Sequence, residues 1–143
     1  MSDSSLDLFS GLDVELLLKL FDTLPVDVSF VNADDEVVFF NLPAGGRIFP
    51  RTRLDVGRKV QRCHPPQSVD KVQRILDDFR AKKRTSADFW LELGGKFIYI
   101  RYFPVFDSAG AYMGTLEVSQ DCTAIRALVG EKKLLDEPAV QAE

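Results

Sequence analysis

The chain has 143 residues, 45% of them apolar and eleven of them Phe, enough for one domain with a true core. Its formal net charge is −4 and its basic residues form no stripe, which excludes the electrostatic footprint of a nucleic-acid binder. No stretch approaches the ~20 consecutive apolar residues of a membrane span, and the start Met1-Ser2-Asp3-Ser4-Ser5 lacks the basic region of a secretory signal, so a cytoplasmic protein without a membrane partner is expected.

Leu8, Leu12, Leu16 and Leu20 recur every four residues, and Leu17, Leu18, Phe21 and Leu24 widen the stripe. This spacing predicts a helix over Leu6 to Leu24, ended by Pro25. Val26, Val28 and Phe30 then alternate with Asp27 and Ser29, and Glu36 to Phe40 forms a second apolar run. The turn residues Asn32-Ala33-Asp34-Asp35 between them predict a hairpin. From Asn41 to Pro66 the chain carries four prolines and three glycines, which predicts short helical turns and loops.

Val69, Val72, Leu76 and Phe79 have helical spacing within a predicted helix over Ser68 to Lys82. The basic run Lys82-Lys83-Arg84 reads as its solvated end, where cations suit the dipole. Thr85 to Leu93 alternates again, Gly94-Gly95 is a hairpin turn, and the next strand runs from Lys96 to about Val105. A tight turn sets Leu93 opposite Lys96, Leu91 opposite Ile98, Phe89 opposite Ile100, Ala87 opposite Tyr102, Trp90 opposite Tyr99 and Asp88 opposite Arg101. Both faces are then chemically consistent.

Asp107 to Gly110 is a further turn before the last strand, Tyr112 to Asp121. Its apolar residues Leu116 and Val118 share one face with Gly114 and Gln120, and this face is expected to turn inward. Ile125, Leu128, Lys132 and Leu135 at heptad spacing predict a closing helix over Thr123 to Leu135, with a frayed tail from Glu137. The order predicts an α+β domain: a five-stranded antiparallel sheet with helices on one face. The expected division is an N-terminal helix over 1–24, the main domain over 25–122, and a C-terminal helix and tail over 123–143.

His64 is the only histidine, and it stands beside Cys63 in the run QRCHPPQSV. Zinc would need three or four ligands, and this pair has no second pair to complete it, so no metal site is expected. Cys63 and Cys122 have no framework spacing and are expected to be reduced thiols. Any nucleophilic triad would have to use His64, with Cys63 adjacent in sequence rather than arranged in space. Gly45-Gly46 and Gly94-Gly95 are turns, not phosphate loops. No catalysis is expected.

The element order, Asn41 closing the second strand, VGRKVQRCHPP (Val56 to Pro66) and TLEVSQDCTAIRAL (Thr115 to Leu128) together resemble a PAS domain. The runs FFNLPAGGRIFPR, CHPPQSV, FWLELGGKFIYIRYF and GTLEVSQDCTAIRALVGEKKLLD are similar to the PAS module of bacterial DUF438 proteins, often found beside a hemerythrin-like region. The likeness covers Leu24 to Asp136. It departs at Cys122, where an aliphatic residue is usual.

The resemblance implies a PAS-like fold and a non-catalytic sensory or ligand-binding module in signal transduction, which often forms homodimers and acts through its terminal helices. A small molecule would lie between the inner sheet face and the central helices, against Leu76, Phe79, Phe89, Ile98, Ile100, Leu116 and Val118, with Cys63, His64 and Gln120 as polar contacts. The ligand is unknown, and the partner would be a hemerythrin-like region or another signalling protein. An interaction or dimerisation module whose core is filled by the same side chains is an open alternative. Haem is a further one, because some members of the family bind it through one His, here His64, as a redox or gas sensor. For flavin, Gly57-Arg58 and Gln120 fit, but Val60 holds the reactive cysteine's position and Cys63 lies three residues later. The outer face carries Trp90, Phe97 and Tyr99, a patch that the N-terminal helix or a second subunit is expected to cover.

Overall fold

The computed structural model describes residues 8–135. Helix α1 spans Val14–Thr23, shorter than the leucine spacing predicts. Asp13 starts it by accepting a hydrogen bond from the Leu16 amide at 2.8 Å, and Phe9 to Leu12 before it is a turn. Of the predicted helix, Leu6 and Asp7 lie outside the described residues. Pro25 follows the extended Leu24, as expected.

The hairpin β1 (Asp27–Asn32) and β2 (Val37–Phe40) turns at Asn32, whose side-chain oxygen accepts from the amides of Asp34 and Glu36. Between β2 and the central helix, the only helical pieces described are 3₁₀ turns at Arg53–Asp55 and Val60–Cys63. Helix α2 spans Pro66–Arg80, with proline in its first turn, where a missing N–H costs nothing. Strands β3 (Ala87–Leu93), β4 (Lys96–Phe106) and β5 (Tyr112–Asp121) complete an antiparallel sheet of order β2-β1-β5-β4-β3. The β3–β4 register is the expected one, from Leu93 opposite Lys96 to Ala87 opposite Tyr102. The α+β class and the five-stranded antiparallel sheet read from the sequence are those observed, but the helices do not share one face, since α1 packs on the side opposite α2.

Helix α2 lies across β4 and β5 and defines the inner face. Phe79, fully buried, packs against Ala87, Ile98, Ile100 and Tyr102, while Leu76 packs with Val31, Val37 and Val60. On the opposite side, Phe21 of α1 meets Phe39 of β2 edge to face at 5.1 Å.

Two further expectations need correction. Leu116, Val118 and Gln120 do not face inward. Ile100 pairs with Ser119 and Tyr102 with Glu117, so the inward row of β5 is Thr115, Glu117 and Ser119. Leu116 and Val118 lie on the outer face opposite Phe103 and Arg101, and Gln120 opposite Tyr99. Polarity misleads here because the inner face is itself polar over β1 and β5 and satisfies those groups internally.

The closing helix, α3, is one turn, Thr123–Arg126. Gly130 and Leu134 have positive φ, and Ile125, Leu128 and Leu135 stay exposed. An apolar stripe buried against nothing does not sustain a short helix. The tail from Glu137 lies outside the described residues.

Candidate functional site

One half of the inner face is apolar and filled; the other half is charged. Asp27 and Ser29 of β1 face Ser119 and Glu117 of β5. Buried carboxylates persist only where donors meet them, and the loop after β2 brings those donors. The amides of Ile48 and Phe49 donate to the Asp27 carboxylate at 3.0 and 2.9 Å. The Arg47 guanidinium donates to the carbonyls of Val28, Asn41 and Phe49, to Asn41 Oδ1 and to Ser29 Oγ, all within 3.2 Å, with Asp27 at 3.7 Å. This staple fixes the loop across β1 and aims the following residues along the sheet.

Arg51 extends from that loop to within 3.7 Å of Glu117, and the Tyr102 hydroxyl donates to the same carboxylate at 3.1 Å. Arg51 Nε is buried without a hydrogen-bond partner among the described residues. Such a donor is costly unless something accepts from it. Beside this cluster a cavity of about 20 Å³ opens under α2. Val31, Val60, Val72, Ile75 and Leu76 form its apolar wall, and His64, Tyr102, Thr115 and Glu117 its polar one. That space matches about one water molecule.

His64 reaches the cavity because the 3₁₀ turn Val60–Cys63 ends on it and Pro65-Pro66 begins α2 at once. Its Nδ1 lies 3.0 Å from the Val60 carbonyl. A carbonyl only accepts, so Nδ1 carries the proton and, in the neutral ring, Nε2 is the acceptor. Cys63 goes elsewhere: its thiol is 3.9 Å from the Lys59 carbonyl, and the side chain packs on the Val31, Val37 and Val60 cluster.

Of the residues assigned from sequence, His64 and Leu76 line the cavity. Phe79, Ile98 and Ile100 fill the adjoining core, and Phe89 sits at the sheet margin against Tyr102. Leu116, Val118 and Gln120 lie on the other face. The polar lining, Tyr102, Thr115 and Glu117, was missed, along with Arg51 behind it. The available signal was Arg47 and Arg51 in a Pro/Gly-rich loop, two cations that could neutralise Asp27 and Glu117. Haem does not fit this space: a macrocycle would displace Val72 and Leu76 from the core. A flavin ring meets the same obstacle. Among the described residues no three His, Cys, Asp or Glu side chains converge on a metal position.

At the far end of β5, the junction Asp121-Cys122-Thr123 is tied to the sheet. Asp121 accepts from the Thr123 amide and hydroxyl, which holds its carboxyl below the ordinary range, and Thr123 Oγ1 accepts from the Phe97 amide at 2.9 Å. This anchors the chain's exit to β4.

Burial pushes the Tyr102 phenol well above its ordinary value near 10, and the neighbouring Glu117 charge adds to the effect. The folded state therefore keeps a proton that the unfolded chain sheds above pH 10, so stability present below pH 10 falls as pH rises further. Urea midpoints measured from pH 8 to 12 are expected to decline above pH 10 in the native chain. Tyr102→Phe should flatten that decline while lowering stability by about 1 kcal/mol at pH 8 for the lost hydrogen bond to Glu117. An unchanged alkaline slope in the variant would place the titrating group elsewhere.

A PAS domain family model matches residues 17–123. The C-terminal domain of a Streptococcus mutans protein is 37% identical, with a TM-score of 0.75, over 82% of this chain and 91% of that one. The PAS domain of a Colwellia psychrerythraea protein aligns with a TM-score of 0.57 at 12% identity, over 78% and 98% of the two chains. A sensory box sensor histidine kinase from Vibrio cholerae aligns with a TM-score of 0.55 at 18% identity, over 85% and 98%. No curated protein matches significantly.

Proposed function

This chain belongs to the PAS domain family, and on that premise we propose that it is a non-catalytic sensory module that binds a small molecule under α2 and passes the change on through its terminal segments. The observation that carries the reading is the cavity between α2 and the inner face, with His64, Tyr102, Thr115 and Glu117 on its polar side. At about 20 Å³ the hollow admits a water-sized group as it stands, so a larger ligand would shift α2 outward and thereby couple binding to movement.

Dimerisation fits the exposed leucines of α1. Leu16, Leu17, Leu18 and Leu20 each stay at least 40% exposed, an apolar surface that a second copy would bury. The resemblance of the sequence to the PAS modules of DUF438 proteins supports extending the proposal to a hemerythrin-like or other signalling partner that would provide the output. A filled-core interaction module is the second reading, favoured by the fully buried Phe79 and Ile98.

Native mass spectrometry and ligand-observed NMR of the purified chain separate the two readings. Sensing predicts a retained small molecule, or a hit from a library of small polar compounds, that His64→Ala and Glu117→Gln weaken at least tenfold. Binding indifferent to both variants would sink the site. Light scattering is expected to show a dimer that Leu17→Ser with Leu20→Ser dissociates, and a strict monomer at high concentration would remove dimerisation from the proposal.

A further inference from the structure

The two edges of the sheet are built differently. Strand β2 is four residues long, and its ladder with β1 slips at Phe30 and Val31. Its free side is closed by the chain itself: the Val37 amide donates to the Arg58 carbonyl at 2.9 Å, and the Gly57 amide to the Val37 carbonyl at 2.7 Å. Glu36 also bridges to Lys59.

Strand β3 has none of these protections. It is seven residues long, paired with β4 without a bulge, and last in the sheet order. Among the described residues, no backbone hydrogen bond reaches 87–93 from outside the β3–β4 ladder. The strand carries neither lysine nor proline, the usual guards of an open edge. Because α2 rests mainly on β4 and β5, the inner side of β3 is covered at Ala87 and Leu91 but left open at Phe89 and Leu93. Phe89 and Leu93 are 39% and 44% exposed there, and Trp90 is 62% exposed on the outer side.

We propose that β3 is a docking edge for an extended segment of a partner protein that alternates apolar and basic residues. The pattern follows from the strand. Opposite Phe89, Leu91 and Leu93 an added strand needs apolar side chains. Opposite Asp88, Trp90 and Glu92 it meets acid, indole and acid, where Lys or Arg gains charge pairing and a cation–π contact. A second copy of this chain fits less well. Antiparallel self-pairing that uses all seven residues sets Asp88 against Glu92 at both ends, and like charges directly opposite destabilise a sheet.

The chain's single tryptophan reports on this edge. The probe is the peptide Val-Lys-Val-Lys-Val-Lys-Val, with the same peptide carrying Glu for Lys as its counterpart. The Lys peptide is expected to shift Trp90 emission and slow amide exchange across 87–93, with the Glu peptide at least tenfold weaker. Asp88→Lys with Glu92→Lys, both at exposed positions, should fold normally by circular dichroism and reverse the preference. No shift from the Lys peptide at millimolar concentration, equal binding of both peptides, or an unreversed preference overturns the proposal. So does protection of 87–93 that rises with protein concentration before any peptide is added, which would assign the edge to a second copy.

Discussion

Asn41→Ala is expected to lower stability by about 3–5 kcal/mol and to release α1 from the sheet. The side chain is 1% exposed and fully used. Its Oδ1 accepts from the Val28 amide at 2.7 Å and from Arg47 at 3.0 Å, and its Nδ2 donates to the carbonyls of Phe21 and Val26 at 2.8 and 3.0 Å. Alanine strands the Val28 amide and the Val26 carbonyl and takes one partner each from Arg47 and the Phe21 carbonyl, which keep others, at roughly 1–3 kcal/mol for each group that water cannot reach. For a domain of this size the melting temperature should fall by about 10–15 °C. Asn41 also stands between two functional parts: Arg47 on one side holds the charged inner face, and Phe21 on the other ends α1. Amide exchange is therefore expected to accelerate across 14–23 more than across β4 and β5. Uniform acceleration would mean that the residue holds the fold together without linking the helix to the site. Asn41→Asp keeps an acceptor for Val28 but sets a carboxylate oxygen against two carbonyls, so α1 should loosen in that variant too.

Gly114→Ala is expected to abolish the β1–β5 pairing, with a loss above about 4 kcal/mol or a failure to fold. A Cβ at this position would lie 2.1 Å from the Val31 carbonyl oxygen and 2.5 Å from Phe30 Cζ, and 3.0 Å from Asn32 Cα. Two of these three atoms are backbone of the paired strand, which cannot retreat without breaking the ladder. The glycine also has a φ of +151°, a conformation that side chains rarely adopt. Urea denaturation of this variant beside Gly45→Ala makes the comparison direct. A Cβ at Gly45 meets nothing within 4 Å, so that change should stay within about 0.5 kcal/mol. Equal stability of the two variants would show that β1 and β5 separate at this point without cost.

The β3–β4 hairpin was legible because its information is local. A two-residue glycine turn sets the register, and both faces then agree residue by residue. The broken segment before α2 follows from proline and glycine in the same way, although α2 itself begins at Pro66, two residues before the expected Ser68. The last strand shows the limit. Leu116 and Val118 look like core against Thr115, Glu117 and Ser119, yet they face outward, because alternation tells which residues share a face and not which face is covered. That choice rests on pairing with β1 and β4, on Arg47, which folds back to Asp27, and on Arg51, which meets Glu117 from far earlier in the chain. The closing helix fails for the related reason that its stripe finds no surface to bury against. By itself, then, the sequence determined the strands and the two main helices, the β3–β4 register and the family. Tertiary structure alone decided that the inner face is half charged, that His64 turns toward it while Cys63 does not, and that one sheet edge is closed and the other open. Those outcomes depend on contacts between distant segments, and no local pattern encodes them.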